Sequence, residues 1–242
     1  MRTARAVGAD RALAWYREAL RLWRRGPGTF ALLALLVLVV DFTLDLVPVA
    51  GVVIAQFVLP LTACGMLYAS LAADRGDRPR MSHLLAVIGA PPRALAAVTL
   101  SGLVVFAAEA LVAYAVGDIN MLLPLGHDAS VSPQTILAIY TVGIAVSLPV
   151  TFVPFGALFD GLGVAEAFAQ SYQAFARNVA PLALYGALSL VLLLFGWATY
   201  GLGLVLALPW WAASSYAAWK DIFAVDRDRL AAATPVRDDP SG

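Results

Sequence analysis

Forty-two consecutive residues, 178–219, carry no charged side chain, and this run constrains the fold more than any other feature. A helix crosses the roughly 30 Å hydrocarbon layer of a membrane with about 20 apolar residues. The run is too long for one crossing and long enough for two, with a glycine-rich break at Gly196, Gly201 and Gly203. Soluble chains carry roughly 25% charged residues. With 13% charged and 61% hydrophobic residues, this chain is predicted to be an integral membrane protein and not an ordinary soluble enzyme.

Six apolar runs have the length of a transmembrane helix. They cover residues 29–50, 52–73, 94–116, 134–159, 179–195 and 202–219. We therefore expect an all-α fold, a polytopic bundle of six transmembrane helices in a domain that spans 29–223. Residues 1–28 are predicted to form a cytoplasmic amphipathic helix, and 224–242 a disordered cytoplasmic tail. Pro60, Pro149 and Pro154 are expected to interrupt two of the spans.

All sixteen basic residues fall on one side of these spans. Because basic residues are retained on the cytoplasmic side, both termini are expected in the cytoplasm and the loop 117–133 in the periplasm. Fifteen of the basic residues are Arg, which together with abundant Ala favours a GC-rich bacterial genome as the source. Sixteen acidic residues balance the charge, so no bulk field would attract nucleic acid.

The segment 10–25, DRALAWYREALRLWRR, separates on a helical wheel into an apolar half with two tryptophans and a half rich in arginine. This pattern is typical of an interfacial helix that lies on the membrane surface. The predicted contacts to anionic inner-leaflet lipid are Arg11, Arg17, Arg21, Arg24 and Arg25. An amphipathic helix docked on protein is the alternative. Weaker versions at 163–178 and 81–93 predict three units, each an interfacial helix followed by a transmembrane hairpin.

Three segments carry a resemblance to known proteins: WYREALRLWRRGPGTFALL, DGLGVAEAFAQSYQAFARN and LPWWAASSYAAWKDIF. The chain resembles an uncharacterised family of six-span proteobacterial inner-membrane proteins. More distantly, it is similar to the membrane domain attached to some glycerophosphodiester phosphodiesterases. The resemblance implies a membrane location and helix-hairpin repeats, and it brings no catalytic residues. The soluble phosphodiesterase domain, with its metal-binding carboxylates, has no counterpart in this sequence, so that hydrolysis is not implied.

Three acidic residues, Asp41, Asp45 and Glu109, lie inside predicted spans with no basic residue at a comparable depth. A charged carboxylate at the centre of a membrane helix is unfavourable by at least about 2.5 kcal/mol. Asp41 and Asp45 are four residues apart and share a helix face, and Asp45 and Glu109 lie at matching depths. We therefore expect the three to share one polar cavity. It would be a proton or cation site or a polar entrance for a substrate. The alternatives are a set of neutral or hydrated acids that stabilise the bundle, or a position of these residues nearer the periplasmic boundary.

Motifs for nucleotide binding, metalloprotease or serine-hydrolase chemistry do not occur. His83, His127 and Cys64 are isolated in the sequence, so no cofactor, metal or catalytic residue is predicted. The leading hypothesis is a non-catalytic membrane protein that organises lipid, a protein partner or a second copy of itself. A small proton- or cation-coupled transporter that uses the three acids is the alternative. A membrane enzyme that acts on a lipid headgroup is third, since no pair of nucleophile and base can be named.

Overall fold

A computed structural model describes residues 2–123 and 131–225 of the chain. Over these residues it contains nine α-helices, one 3₁₀ helix and no β-strand, which confirms the all-α prediction. The elements in chain order are α1 (Arg11–Trp23), α2 (Pro27–Asp45), α3 (Ala50–Arg75), the 3₁₀ helix (Met81–Val87), α4 (Pro92–Gly117), α5 (Pro133–Val150), α6 (Val153–Leu158), α7 (Val164–Arg177), α8 (Val179–Ala198) and α9 (Leu204–Ile222). His127 and most of the predicted tail 224–242 lie outside the described residues.

Five of the described helices are long and apolar enough to cross a membrane: α2, α3, α4, α5 continued by α6, and α8. Their mean hydropathy lies between 1.9 and 2.2, as expected of a membrane-embedded protein. The sixth predicted span, 202–219, corresponds to α9, which has 19 residues but is not among these five. The second half of α9 contains more polar residues, and protein surrounds it, since Ser214, Tyr216 and Trp219 are at most 1% exposed.

The predicted span 134–159 is divided into two helices at Thr151 and Phe152. Pro149 cannot donate a backbone hydrogen bond, and Pro154 lies in the first turn of α6, where proline is favoured. Ser171 of α7 pairs the backbone groups at this break. Its hydroxyl accepts a hydrogen bond from the Phe152 N–H at 3.1 Å and donates to the Pro149 carbonyl at 2.7 Å. The expected interruption at Pro60 is not seen, since α3 continues through it.

Five helices form a closed ring in which each contacts the next, in the order α3, α4, α5, α8, α9 and back to α3. Outside this ring, α2 packs on α3 and α9. The short helix α1 lies against α9, α8 and α3, whereas α7 lies against α4, α5, α6 and α8. The buried core is concentrated where α1 packs, while apolar side chains such as Phe42, Leu111 and Tyr200 are exposed towards the opposite end.

The N-terminal segment and the end of α9 lie at the same end of the bundle, which we call the α1 end. The Arg5 N–H donates to the Ile222 carbonyl at 2.9 Å, and the Arg25 guanidinium donates to the Ala73 carbonyl at 2.7 Å. All basic residues within the described part belong to segments at this end: 2–25, 75–93, 177 and 220. The bundle is therefore strongly polarised in charge along its length.

Candidate functional site

The apolar half of α1 is mostly covered by protein. Trp15 and Leu22 are 1% and 0% exposed. The Tyr16 hydroxyl is hydrogen-bonded to Ser189 Oγ at 2.7 Å, and Trp210 Nε1 of α9 donates to the Tyr16 carbonyl at 2.9 Å. Trp15, Tyr16 and Leu22 therefore contact protein, as the docked alternative expects, while the location of α1 at the membrane surface stays a prediction. The physical reason is that α8 and α9 offer polar partners to the aromatic side chains, which lipid tails cannot do.

Part of the same half stays accessible beyond the protein contacts. Leu13 is 46% exposed, and Leu20 and Trp23 are half-buried. Leu20 and Trp23 border an apolar hollow of about 130 Å³ together with Leu206 and Trp210 of α9. Lipid contact by these side chains stays a prediction.

Asp221, in the last turn of α9, holds the start of α1. Its side chain is 7% exposed. Arg11 Nε donates to Oδ2 at 2.7 Å, and Trp15 Nε1 donates to the same oxygen at 2.9 Å. Arg5 forms an ion pair with Oδ1 and also donates to the Asp221 carbonyl at 2.6 Å. The hydrogen bond to Asp221 raises the pKa of Arg11 above its usual value, so this cation stays charged.

Asp74, near the end of α3, holds the second half of α1. Its side chain is 1% exposed and forms ion pairs with Arg21 at 3.1 Å and with Lys220. The Tyr216 hydroxyl donates to Oδ2 at 3.1 Å. Arg21 also binds Glu18, and this hydrogen bond is the main cause of a raised pKa for Arg21 and a lowered pKa for Glu18. The two buried aspartates thus join α1, α3 and α9.

A polar cavity of about 320 Å³ lies between these two clusters. Its charged lining consists of Arg11, Glu18, Lys220 and Asp221. Two positive and two negative side chains therefore face the same space. Each of these four groups also takes part in an ion pair with a neighbour, so the cavity has no unbalanced charge of either sign.

The segment 2–7 is fixed across the α1 end by α7, α8 and the preceding loop. Arg2 Nε donates to Asp160 Oδ1 at 2.8 Å, and the Arg2 N–H donates to Gln170 Oε1 at 2.9 Å. The Val7 N–H donates to Asn178 Oδ1 at 2.9 Å. Burial raises the pKa of Asp160, although the Arg2 charge opposes this effect. The N-terminal segment therefore belongs to the folded body.

The five arginines predicted to contact anionic lipid divide into two groups. Arg11 and Arg21 bind buried carboxylates, and Arg25 donates to a backbone carbonyl of α3. Arg17 and Arg24 are exposed, and neither has an acidic side chain within 4.0 Å among residues 2–123 and 131–225. Lipid contact therefore stays a prediction that rests mainly on Arg17 and Arg24.

The structure does not gather the three acids of the predicted intramembrane site. Asp41 and Asp45 follow one face of α2, where Asp41 is half-buried and Asp45 exposed. Glu109 lies where α4 packs on α5, and its carboxyl group occupies the space beside Gly143. Since α2 packs on α3 and α9, the expectation of one cavity shared by all three acids is corrected. Matching depth does not determine which helices are neighbours or how each is rotated.

Asp74, Lys220 and Asp221 organise the α1 end but are not among the residues predicted from the sequence. The predicted acids lie deep inside apolar runs, whereas these residues lie in the last turns of α3 and α9. One signal was available. An acid next to a span end, on the side that carries all the arginines, is well placed to pair with one of them.

Five aromatic side chains form a layer across the bundle, which we call the aromatic floor: Tyr68, Phe155, Phe159, Tyr216 and Trp219. The Phe155 and Trp219 rings stack with centroids 5.3 Å apart and an interplanar angle of 15°. The Arg2 guanidinium lies 5.5 Å from the Trp219 ring, and Lys220 Nζ lies 5.9 Å from the Tyr216 ring. Cations of the α1 end therefore cover the floor on one side.

An apolar cavity of about 270 Å³ lies on the other side of the floor. Helices α3, α4, α5, α6 and α9 line it, and Phe155 belongs to both the cavity wall and the floor. Tyr216, within 6.5 Å of Phe155 between ring centroids, lines the polar cavity instead. The floor thus separates a polar cavity at the α1 end from an apolar one inside the ring of helices.

Within the described part of the chain, no three His, Cys, Asp or Glu side chains are grouped so that they could hold a metal ion.

Comparison of the chain with known protein families, with curated proteins and with solved structures found no match. The resemblance to a six-span inner-membrane family therefore stays a prediction, and what this arrangement of residues does must be inferred from its own chemistry.

Proposed function

We propose that the protein is a non-catalytic, six-span protein of the bacterial inner membrane, with both termini in the cytoplasm, that gathers anionic lipid around its α1 end. The observation that supports this proposal is the fixed position of α1. Asp74 and Asp221 bind one group of its arginines, which leaves Arg17 and Arg24 exposed.

In this proposal α9 is the sixth crossing. It closes the ring with four helices of membrane length, and it ends beside α1 at Asp221. Three pairs of long helices then follow one another, α2 with α3, α4 with α5 and α8 with α9, and a short helix precedes each pair. The short helix of the second pair is a 3₁₀ helix, so the proposed repeat is irregular there.

Charge and aromatic residues favour an interface with anionic lipid at the α1 end. Each basic residue close to an anionic membrane surface contributes about 1 kcal/mol of attraction. Helix α7, at the same end, buries its small and polar face and presents the opposite one, on which Tyr172 is 61% exposed and Phe168 and Phe175 are half-buried. Exposed aromatic side chains at span ends are typical of the headgroup region.

The experiment compares the lipids that the purified protein retains. The full chain is exchanged into nanodiscs with equal amounts of phosphatidylglycerol and phosphatidylcholine, released, and analysed by native mass spectrometry. We expect the wild type to retain phosphatidylglycerol preferentially. The double variant Arg17→Gln/Arg24→Gln should lose this preference by about tenfold or more, since two contributions of about 1 kcal/mol are removed. Added salt should reduce the preference of the wild type.

The matched control is Arg11→Gln/Arg21→Gln on the same helix. These arginines bind Asp221 and Asp74, so their loss is expected to lower thermal stability while the lipid preference of the folded fraction largely persists. Equal retention of the two lipids by the wild type would contradict the proposal. So would an unchanged preference in the Arg17→Gln/Arg24→Gln variant.

A transporter is the second candidate function, and the position of Glu109 is the observation that favours it. The carboxyl group lies between two membrane-length helices, with no basic side chain within 4.0 Å in the described ranges. Such a group suits reversible proton binding. Proteoliposomes with an internal pH-sensitive dye test this: proton uptake should be abolished by Glu109→Gln and kept by Asp45→Asn. Equal fluxes in wild type and Glu109→Gln would exclude it.

A further inference from the structure

The apolar cavity inside the ring has a lining that fits one class of ligand. Residues of α3, α4, α5, α6 and α9 surround about 270 Å³ of space. Nearly all of the wall is hydrocarbon, because the side chains that line it are mostly alanine, valine, leucine, proline and aromatic residues. Apolar cavities of this kind exclude water and accept apolar ligands.

The hydroxyl and thiol groups of the lining have no free hydrogen-bond donor for a ligand. Each donates to a backbone carbonyl three or four residues earlier in its own helix, as small polar residues often do in membrane helices. The donors are Cys64, Ser101, Ser147, Thr151 and Ser215. A solute that needs hydrogen-bond donors, such as an anion, would therefore lose its hydration without gaining them from these side chains.

The aromatic floor determines the side from which a ligand can enter. Phe155 and Trp219 stack at the base of the cavity, and both are at most 1% exposed. Beyond them lie the ion pairs of Asp74 and Asp221. A ligand from the aqueous phase at the α1 end would have to displace this packed layer. A ligand that already resides in hydrocarbon would not.

From these observations we propose that the cavity binds an alkyl chain of a membrane lipid, which enters from within the bilayer. The lining provides mostly apolar contact, and the floor limits how deep the chain reaches. Helices α3, α4, α5, α6 and α9 surround the space. The proposed site is distinct from the arginines of α1, and it recognises the chain of the lipid instead of its headgroup.

Photo-crosslinking of the full chain in lipid vesicles tests this proposal. The probe is a phosphatidylcholine with a diazirine in the middle of one acyl chain, whose neutral headgroup avoids selection by the arginines. After irradiation, the modified residues are mapped by mass spectrometry. We expect adducts on residues that line the cavity, such as Cys64 and Met66 of α3 and Trp211 of α9. Adducts confined to outward-facing residues such as Leu111 and Val191 would overturn the proposal.

Two neighbouring valines of α4 provide a matched pair of variants. Val105 lines the cavity, whereas Val104 is outside the lining and 40% exposed. Val105→Phe should fill the space and reduce adducts on Cys64 and Met66 at least fivefold, while Val104→Phe should leave them unchanged. Equal yields in wild type and Val105→Phe would overturn the proposal. If Val105→Phe does not fold, the wild-type adduct map decides alone.

A second arm identifies the source of the chain. A free fatty acid with the same diazirine replaces the phospholipid at the same chain concentration. Adducts on the lining from the phospholipid alone support a phospholipid chain, and adducts from the fatty acid alone support a free fatty acid. The absence of lining adducts in both arms would overturn the proposal.

Discussion

Asp74 and Asp160, whose side chains are both largely covered at the α1 end, differ in how well their charge is compensated. Asp74 is 1% exposed and receives Arg21, Lys220 and the Tyr216 hydroxyl. The side chain of Asp160 is 8% exposed, but only one of its oxygens is bound by Arg2, and Oδ2 has no hydrogen-bond partner within the described residues. Compensation of the charge, more than burial, determines which carboxylate stabilises the fold.

Replacing the better compensated carboxylate should therefore be damaging. We expect Asp74→Asn to lower the free energy of unfolding by about 3 kcal/mol, because Lys220 loses its paired carboxylate and Arg21 loses one of two. Thermal unfolding in detergent, followed by tryptophan fluorescence, measures the loss. The control is Asp77→Asn, the same change on an exposed side chain three residues later, which should alter stability by less than about 0.5 kcal/mol. Similar losses in both variants would contradict the role of Asp74.

The contribution of Asp160 to the stability of the protein should become more favourable as the pH falls. Burial raises its pKa in the folded protein above the unfolded value of 3.8, so the folded state binds the proton more tightly. The charged form therefore lowers stability at neutral pH, and this penalty disappears as pH falls through the raised folded value. Compared with Asp160→Asn, the wild type should gain thermal stability between pH 7 and pH 4. A relative loss of wild-type stability on acidification would contradict this sign.

Among the elements, α1 and α7 share an amphipathic pattern but use it in different ways. Helix α1 buries its aromatic face against α8 and α9, where Trp15 and Tyr16 find hydrogen-bond partners. Helix α7 buries the small and polar face that contains Ser171 and leaves Tyr172 exposed. An amphipathic pattern predicts that one face is covered, but its neighbours determine which face contacts protein.

A double-mutant cycle tests whether α1 is docked as described. Trp15→Phe removes the donor of the hydrogen bond from Trp15 Nε1 to Asp221 Oδ2, and Asp221→Asn replaces its charged acceptor with a neutral amide. We expect a coupling energy of about 1.5 kcal/mol, since the acceptor is charged and the pair is buried. The control cycle pairs Asp221→Asn with Trp23→Phe, a half-buried residue at the other end of α1. A Trp15 coupling no larger than the Trp23 coupling would mean that α1 does not dock through Asp221.

For the whole molecule, the charge polarity leads to a prediction of topology. Basic residues of the described part gather at the α1 end, and the end of α9 is hydrogen-bonded to Arg5 there. A reporter active only outside the cytoplasm should give signal when fused at Asp128 and none when fused after Arg237. The reason is that α9 carries the chain back to the α1 end. Signal after Arg237 would contradict both the six-span arrangement and the cytoplasmic C-terminus.

Sequence alone predicts the all-α class, the presence of apolar helices of membrane length and the segregation of basic residues. These properties follow from hydropathy and charge along the chain, because the lipid environment acts on each helix separately. The sequence also predicts the bounds of α1 and α7 to within a few residues, since the 3.6-residue repeat of apolar side chains in a helix is a local property.

Which residues contact one another depends on how the helices pack, and this could not be predicted from the sequence. Glu109 lies apart from Asp41 and Asp45 because α4 packs on α5 while α2 packs on α3 and α9. Asp74 and Asp221 became partners of arginines on α1 through contacts between residues 53 and 210 positions apart. Whether an amphipathic face lies on lipid or on protein, and whether a cavity remains between helices, depends on how helices are rotated and which are adjacent. Hydropathy contains no information on the rotation of a helix or on its neighbours, because lipid tails contact all sides of an apolar helix equally well.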